Sequence, residues 1–190
     1  MLKFEHRKGI VAHFEQVTSL LTPSASSNQF EESLKQLGEL LGFTAQRPDN
    51  DFGVGPDVLW LLNDSSALII EVKSRKKLDN PLNKDEHGQL LNSAQWFQTI
   101  YPGFAGCRVV VHPNNLTTDS VVPDDSYALT LDKLGTLVGN TRELLTNLSS
   151  VPMGRETTLA KCDEDLLALN LTPDRLVKVF LEAFEIKESH

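Results

Sequence analysis

Apolar residues recur along this chain at helical spacing in some segments and at strand spacing in others. Phe4, Val11, Phe14, Val17 and Leu21 fall near a 3.6-residue period and predict a helix over residues 3–21. The turn formers "TPSASSN" follow. Ser27 or Asn28 is a candidate cap for a second helix, which runs to Leu41 and is closed by Gly42. "FTAQR" predicts a short strand and "PDNDFGVGP" a turn-rich loop. Two hydrophobic strands come next, "DVLWLL" and "ALIIEVK". The polar connection "LDNPLNKDE" leads to a helix over residues 84–101, ended by Pro102 and Gly103. "CRVVVH" is an almost wholly apolar strand, as a central strand would be. "YALTL" predicts a fifth strand, and residues 132–148 a helix. "SSVPMGRETT" reads as a linker. Two helices complete the chain, the last with Thr172 as N-cap and Pro173 at the first helical position.

Strands interleaved with helices predict an α/β fold with a mixed central sheet flanked by helices, plus extra N- and C-terminal helices. The expected division is an α/β domain over residues 1–150 and a C-terminal helical extension over 151–190 that packs on it. The composition, 40% hydrophobic and 23% charged, is that of a globular protein. No run approaches the ~20 apolar residues of a membrane span. The N-terminal segment mixes charge into its apolar positions, unlike a signal peptide. Cys107 and Cys162 have no paired spacing, so neither a disulfide framework nor a zinc site is expected. These features predict a cytoplasmic protein without a membrane partner. The net charge of −8 counts against strong autonomous binding of DNA, although it leaves room for a small basic patch beside an acidic site.

The two adjacent strands carry the candidate chemistry. Side chains alternate faces along a strand. Ala67, Ile69, Glu71 and Lys73 therefore share one face, as do Asp57, Leu59 and Leu61. If Leu62 pairs with Ser66 across a three-residue turn, Asp57 lies opposite Glu71. Facing carboxylates repel unless a cation sits between them. Such oxygen ligands suit Mg²⁺ or Mn²⁺. A lysine beside them can orient a water or stabilise a transferring phosphoryl group. Against this, Asp57 is ordinary turn chemistry, and Glu71 and Lys73 could be solvated residues of an exposed strand face. Yet "LIIEV" otherwise reads as a buried strand, where a charge needs a reason.

A helix bearing Glu, then "GPD", then "EVK", then a helix bearing Gln resembles the PD-(D/E)XK nuclease superfamily, the restriction-endonuclease-like fold. The resemblance covers about residues 28–112. It implies an αβββαβ core, Mg²⁺ dependence and cleavage of nucleic acid. It casts Asp57 and Glu71 as the metal-binding carboxylates and Lys73 as the catalytic lysine. Glu31 corresponds to the family's frequent helical glutamate: it falls on the flank of the Phe30, Leu34, Leu37 and Leu41 stripe, whereas Glu32 points to the solvated face. On the later helix, Leu90, Ala94, Phe97 and Tyr101 form the apolar stripe, with Gln89, Ser93 and Trp96 along one flank. Gln89 matches a glutamine that many members place near the metal or the DNA backbone. Trp96 is either a stacking platform for a base or a core residue. His87, without a companion at metal spacing, reads as surface or helix N-terminal polarity. "KSRKK" is the one dense basic run, and it makes Arg75, Lys76 and Lys77 candidate phosphate contacts.

The segments "FEESLKQLGELLGFTAQRPDNDFGVGPDVLW" and "HGQLLNSAQWF" are also similar to the nuclease-like region that follows helicase modules in some large bacterial proteins. No phosphate-loop motif is present. A helicase domain in cis or trans is the partner this implies, and a homodimer is left open. The expected function is thus a Mg²⁺- or Mn²⁺-dependent nuclease acting on DNA, as an endonuclease or an exonuclease. The alternative is a catalytically inactive module of the same fold that binds DNA or a protein.

Overall fold

The structure, a computed structural model, describes residues 8–150 and 155–187. Helix α1 spans Lys8–Thr18 and α2 Ser27–Leu40. Strand β1 (Thr44–Gln46), the short helix α3 (Pro48–Phe52), and strands β2 (Val58–Leu61) and β3 (Ser66–Val72) follow. Helix α4 (Lys84–Ile100) leads into strand β4 (Ala105–His112). Then come β5 (Leu116–Thr117), β6 (Ser126–Thr130), α5 (Leu131–Ser150), α6 (Arg155–Ala168), α7 (Pro173–Phe180), β7 (Glu182–Ala183) and β8 (Glu185–Ile186).

Six strands form one mixed sheet in the order β1-β2-β3-β4-β6-β7. Its three middle strands, β3, β4 and β6, run parallel, and the pairs toward both edges are antiparallel. The chain is therefore α/β, with a mixed sheet flanked by helices. One face carries Val58, Trp60, Leu68, Ile70, Val109 and Val111 into a core shared with α1, α2, α5 and α7. The other face carries Leu59, Ala67 and Ile69 against Ala94 and Phe97 of α4. Strand alternation thus sends Glu71, two residues beyond Ile69, to the α4 side.

The hairpin register agrees with the sequence. Leu62 N–H donates to Ser66 O at 2.9 Å, and Val58 pairs with Ile70 and Leu61 with Ala67. Extended by one step, that register sets Asp57 against Glu71. β4 is central, as its apolar run suggests, with β3 and β6 as neighbours.

Several expectations are corrected. Ser26, and not Ser27 or Asn28, caps α2: its hydroxyl accepts from Gln29 N–H, and Gln29 Oε1 accepts from Ser26 N–H. "PDNDFGVGP" is not all loop, because Pro48 at a first helical position starts α3, which ends where Gly53 turns left-handed. The predicted first helix begins at Lys8 among the described residues, and its earlier part lies outside them. Of the expected linker, residues 149–150 belong to α5 and 155–158 to α6, while 151–154 lie outside the described residues. The C-terminal segment is not helical throughout: β7 joins the main sheet beside β6, and β8 pairs with β5. Leu171, Leu176 and Phe180 belong to the same core as the sheet. No helix among the described residues is long and apolar enough to cross a membrane.

Candidate active site

Glu71 and Lys73 stand at the C-terminal end of β3, and Asp57 at the start of β2. The Pro56–Asp57 turn and the hairpin register bring the two carboxyl groups together. Asp57 Oδ2 accepts the Val72 N–H at 2.7 Å, which fixes its carboxylate at the strand end. Glu71 is only 5% exposed. Ser93 of α4 donates its hydroxyl to Glu71 Oε1 at 2.7 Å, and Lys73 Nζ lies 3.7 Å from Glu71 Oε2.

This environment pushes the Glu71 carboxyl up to about 7. Burial is the first cause and the Asp57 charge the second. The Ser93 hydroxyl and the Lys73 ammonium pull the other way, and a hydrogen bond shared with Asp57 favours the protonated form. Near neutral pH the Glu71 carboxyl therefore stands close to the midpoint of its titration.

The three residues open onto one cleft of about 530 Å³. Its remaining lining is Asp49, Val54, Gly55, Gln89, Asn92, Ser93 and Trp96. The flank of α4 expected from helical spacing, Gln89, Ser93 and Trp96, thus faces the carboxylates. Asn92 belongs to that flank too, three residues after Gln89 and four before Trp96, so helical spacing could have found it. Asp49 had no such signal, because it arrives on the unforeseen α3. Trp96 is half-buried in the cleft wall against Gly55, where φ is +99°. A Cβ at Gly55 would stand 3.0 Å from the indole ring, so only glycine allows this approach.

Other expected site residues lie elsewhere. Glu31 does not line the cleft. Its carboxylate is ion-paired with Arg47, a buried guanidinium that also bonds Asn28 Oδ1 at 2.9 Å and Glu32 Oε2 at 3.4 Å. Burial raises the Glu31 carboxyl, and the Asp57 charge adds to the rise, while Arg47 opposes both. Glu31 thus stands within electrostatic reach of the site, with its charge engaged by Arg47. Arg47 itself escaped the sequence reading, since nothing local marks a pairing across 16 residues of chain.

The basic run divides. Arg75 and Lys77 are exposed. Lys76 is committed: its ammonium donates to Glu86 Oε2 at 2.6 Å and to Pro81 O at 2.7 Å. His87 is not surface polarity. It is buried, its Nε2 lies 3.3 Å from Ser126 Oγ, and burial holds its pKa below the usual histidine value. Both cysteines are free thiols, and burial raises each.

No protein-family model matches this chain, and no curated protein matches it.

Proposed function

We propose that this chain is a metal-dependent nuclease domain of the PD-(D/E)XK kind, with a restriction-endonuclease-like core, hydrolysing phosphodiester bonds in DNA. The observation that carries the reading is the meeting of Asp57, Glu71 and Lys73 in one cleft, with the Glu71 carboxyl pushed up to about 7 by its burial and then by the Asp57 charge.

The donor set fits Mg²⁺ or Mn²⁺. The Asp57 charge disfavours an ionised Glu71 beside it, and a divalent cation relieves that repulsion. Mg²⁺ needs only one or two protein carboxylates, because water and substrate phosphate complete its shell. Among the described residues no group of three His, Cys, Asp or Glu is placed to hold a metal, so Asp57 and Glu71 would serve as a pair. Bound there, the cation would supply Lewis-acid polarisation of the phosphoryl oxygen and acidify a water.

The chain's own residues do the rest. Ser93 holds one Glu71 oxygen and leaves the other toward Lys73. The Lys73 ammonium orients the attacking water and balances charge as it grows on the phosphoryl oxygens. Gln89 and Asn92 offer amide hydrogen bonds at the cleft wall to phosphate or water. Trp96 presents an aromatic face on which a base can stack. Arg75 and Lys77, exposed beside the strand end, meet the phosphate backbone. A partner, such as a helicase domain, would supply the grip that a net charge of −8 denies this chain alone.

A second reading, a binding module without catalysis, is favoured by the exposed Arg75 and Lys77 beside the strand end, which can hold phosphate without cutting it. Labelled single- and double-stranded DNA incubated with Mg²⁺, Mn²⁺ or EDTA separates the two. Cleavage with either metal, stopped by EDTA and by Asp57→Asn, is the expected result. DNA bound in every condition and cut in none would leave the binding module.

A further inference from the structure

A second concavity opens on the other side of Lys73. It measures about 360 Å³ and is lined by Ser27, Val72, Lys73, Ser74, Arg75 and Lys76. Lys73 is the one residue it shares with the carboxylate cleft. The cleft is lined by Asp49, Asp57 and Glu71, whereas no acidic side chain lines this pocket. The two hollows therefore differ in sign, and a lysine stands between them.

Three observations make the second hollow an anion pocket. Ser27 is the first residue of α2, a helix of 14 residues with no acidic residue in its first turn. First-turn N–H groups have no intrahelical acceptor, and they carry the positive end of the helix dipole. The Ser26 cap takes up the Gln29 N–H and leaves the earlier amides to another acceptor. Ser74 is 2% exposed and lines the pocket, and its hydroxyl makes no hydrogen bond to another described residue. That hydroxyl lines the pocket, where it can donate to a phosphate oxygen. Arg75 is exposed, and its guanidinium fork matches two oxygens of one phosphate. Lys76 adds little, because Glu86 already holds its ammonium.

We propose that this pocket is a subsite for the phosphate next to the scissile one, with Lys73 between the two. The proposal rests on the nuclease reading for its substrate, but not for the pocket's own affinity. A polynucleotide carries one phosphate per nucleotide. A strand that presents one phosphorus to Asp57 and Glu71 offers its neighbour a short step away along the same path. Ser27, Ser74 and Arg75 bind that neighbour in the ground state and take no part in the bond that breaks. The preferred substrate then has two successive phosphates, the second being an internal diester or a terminal monoester.

The test uses the full chain without divalent metal, titrated with inorganic phosphate and followed by amide chemical shifts. The Ser27, Ser74 and Arg75 amides should move together and saturate. Arg75→Glu should weaken binding about tenfold or more, and Ser74→Ala by a smaller factor in the same direction. Short oligonucleotides then distinguish the sources. A gain in affinity from a terminal phosphate marks a monoester, and a loss from one neutral methylphosphonate linkage marks a diester. Shifts confined to other residues, or unchanged affinity in Arg75→Glu, overturn the subsite. Phosphate binding here by a chain that never cuts DNA would keep the pocket and remove the nuclease. DNA cutting by a chain whose pocket ignores phosphate would do the reverse.

Discussion

Glu71 is where burial and charge meet most sharply. Its carboxyl ordinarily titrates near 4.5 and is raised here to about 7. The folded chain therefore binds this proton more tightly than the unfolded chain does. Stability falls as pH rises from about 4.5 to about 7 and levels off above. Glu71→Gln keeps an acceptor for the Ser93 hydroxyl and removes the charge. At pH 8 the variant should be more stable than the parent, by roughly 2 kcal/mol, and by far less at pH 4. Glu31 is raised in the same direction, so the parent-minus-variant difference, measured by urea unfolding across that range, isolates Glu71. A difference that does not change with pH would mean that Glu71 is not held protonated by the fold. At this scale much was legible. The alternation of "LIIEVK" and a three-residue turn suffice to set Asp57 against Glu71, because pairing in a hairpin is fixed by the turn. Arg47 was not legible, since its partners on α2 are brought to it only by the folded core.

The elements behave as rigid carriers of these residues. α4 brings Gln89, Asn92, Ser93 and Trp96 to the carboxylates, and its start is fixed by a reciprocal cap. Asn83 Oδ1 accepts the Glu86 N–H at 3.0 Å, and Glu86 Oε2 accepts the Asn83 N–H at 3.0 Å. Asn83→Ala removes the first bond and should cost about 1 kcal/mol, read as a fall in melting temperature. The loop after α3 is tied to α4 by close approach at Gly55. Gly55→Ala would force φ +99° on a side-chain residue and set a Cβ 2.9 Å from Pro48 Cβ, beside the Trp96 ring. A loss of about 1–3 kcal/mol is expected, together with a shift in the emission of Trp96 as its indole moves. Trp60 is fully buried on the other face of the sheet and should report no change. The long helices and the apolar strands were legible because their periods run for several turns or steps. α3, β5, β7 and β8 were not. A five-residue helix full of Asp and Asn has the composition of a turn, and two-residue strands have no period at all.

On the scale of the whole molecule, the sheet separates two tasks. One face builds the common core with α1, α2, α5 and α7, and the other leaves a cleft under α4 at the end of β3. The C-terminal segment is part of that construction, since Phe180 is fully buried and β7 edges the sheet. On the proposed nuclease reading, an overall charge of −8 concentrates the burden of meeting phosphate on a few cations beside the cleft. Among them Lys73 alone lies at the carboxylates, at 3.7 Å from Glu71, while Arg75 and Lys77 stand in solvent. Lys73 should therefore act on the transition state, and the two exposed residues on the ground state. The most direct measurement is single-turnover cleavage of labelled DNA in Mg²⁺ by the parent, by Lys73→Met and by the Arg75→Ala, Lys77→Ala double variant, with binding measured in Ca²⁺. Lys73→Met should lose about 10²-fold or more in rate with binding little changed. The double variant should bind more weakly, with a shallower salt dependence, and still cut at saturating DNA. A parent that does not cut, or a Lys73→Met chain that cuts at the parental rate, would contradict the assignment of Lys73, and with it a nuclease built on Asp57 and Glu71.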